Sequence, residues 1–435
     1  MQSVQFQSYN LLAQVVGPVQ PGSDVTYPNN SLGSVNVTSW VSLAIPLLII
    51  VLILGLIALG VYLYLQFLKH KDRDEKSKNG VLMEVKVTRD NETEIGVAEQ
   101  MFANLYGIGG VGKGLDKWFT VPNSISFEIV GLPGEIRFYV HASKKLADLV
   151  EKQILGSYQD AEVTIVDEHN IFNENSKVAF ASLTQTDEPY YPIKVSEDFT
   201  GDPLANILST LSKMQEGEGA LVQIVISPAG SKWQKNGRKF VSKVEETNSD
   251  PEKKRIGVSQ EQLQAISKKT SKIAFNTSIR IVATASNEDI ANMHLNNIVG
   301  AFDQFSNPGI NELKKEKLDK LKGHEFMNEV IFRKPSLKKG AILNVEELAG
   351  MYHFPNKNVT TPNINWLLSK EAPAANWISS EVGSKDTIWL GNNIYRGQSK
   401  KICFKRDDRR RHSYVLGQTG SGKSWLLVRM MMQDI

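Results

Sequence analysis

Residues 41–68 read VSLAIPLLIIVLILGLIALGVYLYLQFL, and this run contains no charged side chain. The uncharged stretch is wider still, because no Asp, Glu, Lys or Arg lies between Asp24 and Lys69. A helix of about 20 apolar residues crosses the hydrocarbon core of a bilayer, whereas a long helix of a soluble protein shows a polar face. The sequence therefore predicts one transmembrane helix over residues 41–68.

The two sides of this span differ in charge. Residues 1–40 contain no Lys or Arg, whereas residues 69–80 carry five of them. By the positive-inside rule, the C-terminal side is cytoplasmic and the N-terminus lies outside. A cleaved signal peptide is excluded because no basic residue precedes the apolar run. We therefore expect a single-pass protein with a flexible extracytoplasmic tail over 1–40 and a basic linker over 69–80.

Composition excludes several classes of protein. The chain has 435 residues, of which 41% are hydrophobic and 22% charged, as in ordinary globular domains. Its net charge of +3 is too balanced for a nucleic-acid binder along its whole length, so a basic footprint must be local. Cys403 is the one cysteine, which excludes a disulfide framework within the chain and a cysteine-based metal site. The bulk of the chain is expected in a reducing compartment.

The segment 81–170 is predicted to form a first α+β unit. Residues 81–89 alternate in polarity as a strand does, and 96–106 have the apolar spacing of a helix. A hairpin, a second helix and a last strand follow, which completes the β-α-β-β-α-β order of a ferredoxin-like unit. The glycine-rich run 107–114 is interpreted as a loop, because it follows a helix and lacks the spacing of a phosphate-binding motif.

A second ferredoxin-like unit is predicted over 175–305, on element order alone. Its two middle strands are separated by a charged insertion, 228–272, for which a solvated arm is favoured over a binding face. Residues 306–400 are predicted to be a linker and the approach to a further domain, with a short strand leading into a helix over 341–348. No catalytic acid–base constellation is found in these units. The seven histidines are scattered, and no pair has the spacing of a metal-binding helix.

The motif that carries chemistry lies over Gly417–Ser424. Its sequence GQTGSGKS matches G-x-x-x-x-G-K-[ST], the phosphate-binding loop of nucleotide hydrolases. Residues 414–416 are predicted to be the strand that enters the loop, and 425–432 the helix that leaves it. In such a loop, backbone N–H groups converge on phosphate. The expected nucleotide contacts are Gly417, Gln418, Thr419, Gly420, Ser421, Gly422, Lys423, Ser424 and Trp425.

The expected cofactors are ATP and Mg²⁺. Lys423 would bind the β- and γ-phosphates, and the Ser424 hydroxyl would coordinate Mg²⁺ held by the nucleotide. Upstream, the sequence KRDDRRRH over 405–412 is favoured as a solvated loop. The alternative is a phosphate or nucleic-acid contact through Arg409, Arg410 and Arg411.

No Walker-B acid is recognised in the chain, so it is expected to be the N-terminal portion of a longer ATPase. Residues 401–435 are then a truncated P-loop NTPase domain. No catalytic residue is assigned within them. We expect weak ATP binding and no hydrolysis by this chain alone.

The segment 409–424, after a membrane span and α+β domains, resembles the DNA-translocating coupling-protein ATPases of type IV secretion and conjugation. These belong to the FtsK/HerA superfamily of P-loop ATPases. The stretches AILNVEEL (341–348), MYHFP (351–355) and TPNI (361–364) are similar to the approach to the loop in bacterial members. The close resemblance covers 341–435, and Trp425 departs from the small residue common at its position.

The resemblance implies a bacterial inner-membrane protein that assembles as a homo-hexamer and threads DNA using ATP. Other secretion-system components are possible partners. Two further functions stay open. One is a secretion ATPase that powers assembly or protein export, and the other is a non-enzymatic membrane anchor or adaptor built from the ferredoxin-like units.

Overall fold

The computed structural model describes residues 37–109, 120–250, 257–316, 323–336, 340–368, 372–395 and 398–435. The chain divides into two compact units, Met1–Leu63 and Tyr64–Ile435. The predicted tail over 1–40 lies outside the described residues except for its last four. Most of the glycine-rich run 107–114 also lies outside them.

The first helix, α1, spans Val37–Lys78 and carries the apolar run. Its stretch from Ile45 is, within the described residues, the one helix long and apolar enough to cross a membrane. The predicted basic linker over 69–80 is wrong in its first ten residues, which continue the helix. This stretch contains no Gly or Pro, and Asp72 pairs with Lys76 one turn later at 2.9 Å, a spacing that supports a helix.

The second unit is a mixed α+β structure built on a nine-stranded sheet in which every strand pair is antiparallel. The strands are β1 Gly80–Lys86, β2 Ile125–Leu132, β3 Glu135–Ser143, β4 Glu162–Val166, β5 Lys177–Gln185, β6 Gly219–Pro228, β7 Ala274–Ala285, β8 Leu313–Lys315 and β9 Ala341–Asn344. The helices are α2 Ile95–Leu105, α3 Lys144–Ser157, α4 Leu204–Leu211, α5 Lys232–Ser249, α6 Gln260–Ser271, α7 Glu288–Phe302, α8 Gly323–Ile331, α9 Val345–Met351 and α10 Lys423–Met432. A separate hairpin pairs β10 Thr387–Tyr395 with β11 Gln398–Lys405.

The strand order is β4-β1-β3-β2-β6-β7-β5-β8, and β9 adds to β7. Apart from β9, the sheet thus consists of two four-stranded halves. Within each half, the strands counted in chain order lie fourth, first, third, second from the outer edge of the sheet to its centre. The halves meet where β2 pairs with β6, from Ile125 opposite Ile226 to Gly131 opposite Ala220. Consecutive side chains of a strand point to opposite faces. Ile125, Phe127 and Ile129 therefore join one large apolar core on the same face.

The described residues between 306 and 367 belong to the body of this unit, so the predicted linker over 306–400 is wrong for them. Strand β8 pairs with β5 through the buried Leu313, although two exposed lysines follow it. Strand β9 pairs with β7, and every residue of α9 is buried. The second half therefore extends past its predicted end at 305. The sequence did not reveal β8, because a three-residue strand rich in lysine shows no recognisable alternation of polarity.

The insertion 228–272 forms α5 and α6, as its helical pattern indicated, but its interpretation as a solvated arm is wrong for one face. Trp233 of α5 and Leu263 and Ile266 of α6 are buried. Trp233 joins a small apolar cluster with Ala229 and Ala274 beside β6 and β7, since burial of apolar area stabilises the docked position of α5.

A fully buried ion pair joins α6 to α9. The Lys269 Nζ lies 3.0 Å from the Glu347 Oε1 and donates to the backbone oxygen of Tyr191 at 3.1 Å. Glu347 also accepts from the backbone N–H groups of Ile193 at 3.0 Å and Asn344 at 2.9 Å. Burial lowers the pKa of Lys269 and raises that of Glu347, and the pairing opposes both shifts.

Replacing Glu347 with Ala is expected to lower the free energy of unfolding by about 3–5 kcal/mol, because it leaves the Lys269 charge buried without its partner. Urea unfolding of the detergent-solubilised chain, followed by circular dichroism, measures the loss. Adding Lys269→Met to this variant should recover part of it, since the orphaned charge is then removed.

The control is Asp148→Ala, which breaks the exposed pair between Asp148 and Lys152. An exposed pair contributes little to stability, so the unfolding midpoint should stay near that of the parent. Equal effects of Glu347→Ala and Asp148→Ala would contradict the structural role of the buried pair.

Candidate nucleotide-binding site

The phosphate-loop motif leads into α10, which is held against the β10–β11 hairpin. The backbone N–H of Trp389 donates to the Gln433 Oε1 at 2.8 Å, and the Gln433 Nε2 donates back to the Trp389 oxygen at 3.0 Å. The guanidinium of Arg429 lies over the rings of Trp389 and Trp425, 4.5 Å and 5.3 Å from their centroids. Such cation–π contacts stabilise a surface helix modestly, so the hairpin positions the loop through α10.

Two glycines of the loop have a conformational reason to be glycine. Gly420 and Gly422 have φ of +84° and +85°, in the left-handed region that L side chains rarely adopt. At Gly417, by contrast, a Cβ would meet mainly the Ser421 hydroxyl, which can rotate aside. Left-handed residues of this kind are typical of loops whose backbone N–H groups converge on an anion.

Helix α10 begins at Lys423, and its N-cap residue, Gly422, has no side chain to cap the first turn. The unpaired N–H groups of a helix start and the positive end of its dipole favour an anion there. The Lys423 Nζ donates to the backbone oxygens of Gly417 and Gln418, the latter at 2.7 Å. The ammonium thus lies at the loop, where the motif predicts a phosphate.

These residues fit the triphosphate end of ATP with its metal. Ser424 is exposed in the first turn of α10, beside Lys423, and Thr419 and Ser421 are exposed in the loop. Within the described residues, no group of three or more His, Cys, Asp or Glu side chains is placed to hold a metal ion. In a loop of this kind, Mg²⁺ would be held by the phosphates together with the Ser424 hydroxyl, and it would neutralise phosphate charge there.

The predicted strand over 414–416 is wrong. These residues have no regular structure, and Tyr414 and Leu416 are among the most exposed apolar side chains. In the part of the chain that the structure describes, no strand pairs with them. A strand alone leaves its backbone groups without a ladder, so the apolar pattern has nothing to stabilise it.

The arginines of the basic segment 405–412 differ in their contacts. Arg409 pairs with Asp434 at the end of α10, with 2.7 Å between its Nη1 and the Oδ1. Arg406 donates to the backbone oxygen of Gln433 at 3.0 Å. Arg410 and Arg411 are exposed and form no ion pair with the residues that the structure describes. Of the three arginines proposed as phosphate contacts, Arg409 therefore also positions α10.

Sequence spacing missed three pairs that each join a histidine to a carboxylate. They are His169 with Glu128 at 2.7 Å, His294 with Glu218 at 3.0 Å, and His353 with Asp202 at 3.1 Å. Each pair joins residues at least 41 positions apart, so no local pattern could identify it.

The structured body coincides with a known family. The model of a domain of unknown function, DUF8128, matches residues 68–367, more than half of the chain. The chain belongs to the DUF8128 family. The DUF8128 domain begins in the last part of α1, contains all nine strands of the sheet, and ends at Leu367. There the Leu367 backbone N–H donates to the Val87 oxygen at 2.9 Å. No curated protein matches the chain, and the phosphate loop lies outside the DUF8128 match.

Gly422→Ala is expected to weaken nucleotide binding by about fivefold or more, because a Cβ in the left-handed region costs about 1–2 kcal/mol. Titration with a fluorescent ATP analogue measures the affinity. Gly383→Ala is the matched control, since Gly383 has the same φ of +85° in a turn before β10. If both variants bind nucleotide as the parent does, the loop geometry has no part in binding.

Proposed function

We propose that this DUF8128 protein is a membrane-anchored ATP-binding protein. The single observation that carries the proposal is the loop Gly417–Ser424, with two glycines in the left-handed region directly before a helix that begins at Lys423. Backbone amides and the Lys423 ammonium bind the phosphates, and Ser424 orients the metal that the nucleotide brings. We assign ATP binding to these residues, and we assign no step of ATP hydrolysis to them.

The apolar helix and the strand order support the rest of the architecture. Helix α1 anchors the protein in the inner membrane, and the basic residues that follow the span favour a cytoplasmic domain. Each half of the sheet is a ferredoxin-like unit, which the shared strand order and the β-α-β-β-α-β element order support. On this proposal, residues 401–435 belong to a P-loop NTPase domain.

The protein is part of a DNA-translocating motor of a secretion or conjugation system, assembled as a homo-oligomeric ring. This part of the proposal comes from the resemblance of 341–435 to coupling-protein ATPases. Arg410 and Arg411, exposed next to the loop, support it because phosphate contacts supply most non-specific DNA affinity. A secretion ATPase for protein export would keep the nucleotide loop and lack this DNA contact.

Lys423→Ala is expected to weaken binding of a fluorescent ATP analogue by at least about tenfold, because it removes the charge that neutralises the β- and γ-phosphates. The full chain is titrated in nanodiscs, with and without Mg²⁺. Lys145→Ala, a lysine exposed on α3, is the matched control and should not change the affinity. Equal affinities for both variants would refute nucleotide binding at this loop, and the membrane adaptor would become the leading function.

Replacing both Arg410 and Arg411 with Gln is expected to lower duplex DNA affinity and to reduce the slope of log affinity against log salt by about two, one per phosphate contact. Fluorescence anisotropy over a salt series measures both quantities. The matched control replaces the exposed Arg89 and Lys145 with Gln. A parent chain whose DNA binding does not depend on salt would contradict the DNA motor and favour a protein substrate or an adaptor.

A further inference from the structure

A cavity of about 470 Å³ lies on the face of the sheet opposite the large apolar core. Six segments line it: the end of α1, the start of β1, β3, residues 168–172, β6 and the end of α8 with the residues after it. One wall is apolar and includes Ile171, Leu221 and Val330. The other carries His141 and Arg333, with Lys78 exposed at the rim. A pocket of this volume with few convergent polar groups is typical of a small-molecule site.

Arg333 is held in an unfavourable backbone conformation at this cavity. Helix α8 ends in a Schellman motif, in which the Arg333 N–H donates to the Val330 oxygen at 3.1 Å and the Lys334 N–H to the Glu329 oxygen at 2.9 Å. Its left-handed residue, usually glycine, is Arg333 with φ of +51°. Residues kept in such a conformation cluster at ligand sites, where the surrounding structure holds them in place.

Two carboxylates form ion pairs with the Arg333 guanidinium, and they differ in solvent exposure. Glu128 is fully buried and lies 2.7 Å from the Nε. Burial would raise the pKa of Glu128, but the Arg333 charge and a hydrogen bond from His169 hold it well below its usual range. Glu168 pairs with the Nη2 at 2.8 Å, and 67% of its side chain is exposed. An external anion can therefore replace the Glu168 carboxylate on the Arg333 guanidinium, whereas it cannot replace that of Glu128.

His141 is the second polar group of the cavity, and it has no hydrogen bond to any residue that the structure describes, although only 8% of it is exposed. Buried polar groups are almost always paired, so an imidazole at a cavity is placed to bond its occupant. Burial, followed by the Arg333 charge, lowers the pKa of His141 to about 4, which leaves the ring neutral near pH 7. A Cβ at Gly80 would overlap this ring, so glycine is needed there.

We propose that this cavity binds a small amphiphilic anion. Its carboxylate or phosphate head replaces Glu168 on the Arg333 guanidinium and forms a hydrogen bond with His141. Its apolar body lies against Ile171, Leu221 and Val330. This inference is independent of the nucleotide loop, because no residue of 401–435 lines the cavity.

Two sources can supply an anion of this chemistry. One is a soluble organic acid or phosphate monoester, and the other is an anionic lipid of the membrane that α1 enters. Lys78 lies at the cavity rim, on the same helix as Leu68, where the apolar run ends. At a rise of 1.5 Å per residue, the two residues are about 15 Å apart along α1. This distance brings the cavity within reach of lipid headgroups.

Hexyl phosphate is the probe, titrated calorimetrically into the full chain in zwitterionic nanodiscs, with empty nanodiscs as the blank. We expect saturable binding, at least about tenfold tighter than that of inorganic phosphate, because the hexyl chain buries apolar area. His141→Leu should weaken binding about tenfold, whereas His141→Gln, which keeps a donor and an acceptor, should stay within about threefold.

Glu168→Gln should tighten binding at least about threefold, because it removes the carboxylate that competes for Arg333. Glu174→Gln is the matched control, a loss of one exposed carboxylate outside the cavity, and should leave the affinity unchanged. Thermal unfolding of each variant checks the fold. His141→Leu is expected to unfold at or above the parent temperature, since no hydrogen bond is lost.

Three results would overturn the proposal. The first is hexyl phosphate that binds no better than inorganic phosphate. The second is a His141→Leu variant that unfolds at a lower temperature than the parent but binds hexyl phosphate with the parent's affinity. This result would make the role of His141 purely structural. The third is no difference between Glu168→Gln and Glu174→Gln.

Nanodiscs containing phosphatidic acid distinguish the sources. Loss of hexyl phosphate binding in them shows that the lipid headgroup already occupies the cavity. Unchanged binding shows a soluble anion as the ligand. Both outcomes support the amphiphilic anion site, and neither depends on whether Lys423 binds ATP.

Discussion

The antiparallel pairing of β2 with β6 is the interaction on which the DUF8128 domain depends. It joins two four-stranded halves into a single sheet, from Ile125 opposite Ile226 to Gly131 opposite Ala220. Alone, each half would expose one of these strands as an unpaired edge, which is a site of aggregation. Gly131 is required at this joint, because a Cβ there would lie 2.9 Å from the Leu211 Cβ at the end of α4.

The joint also places polar residues of both halves side by side on the second face of the sheet. Glu128 lies opposite Gln223, and Gln223 lies opposite Arg280. The Gln223 Nε2 donates to the Glu128 Oε1 at 3.0 Å, and the Arg280 Nη1 donates to the Gln223 Oε1 at 3.2 Å. A buried polar row of this kind is stable only when its members are paired, so the ladder register and the hydrogen bonds specify each other.

This row continues to the helix that leaves the apolar run. Arg280 and Arg73 both bind the carboxylate of Glu329, each at 3.0 Å. Burial lowers the pKa of Arg280 to about 10, and Glu329 opposes this shift. The last turns of α1 are thus part of the domain, and the cavity at Arg333 lies at the other end of the same network. The loop Gly417–Ser424 belongs to a separate segment, which the β10–β11 hairpin holds through α10.

Local patterns in the sequence determined the apolar helix, most strands and helices of the DUF8128 domain, and the position of the loop Gly417–Ser424. Each of these depends on residues close together in the chain, where alternation, helical spacing or a motif is visible. Only the tertiary structure decided that β2 meets β6, that the lysine-rich 313–315 is a strand, and that Lys269 is buried with Glu347. It also decided that 414–416 is not a strand, and that Glu128, His169 and Arg333 meet at one site. The reason is physical: alternation shows which side of a strand is apolar but not which strand lies beside it, and a buried charge is recognisable only with its distant partner.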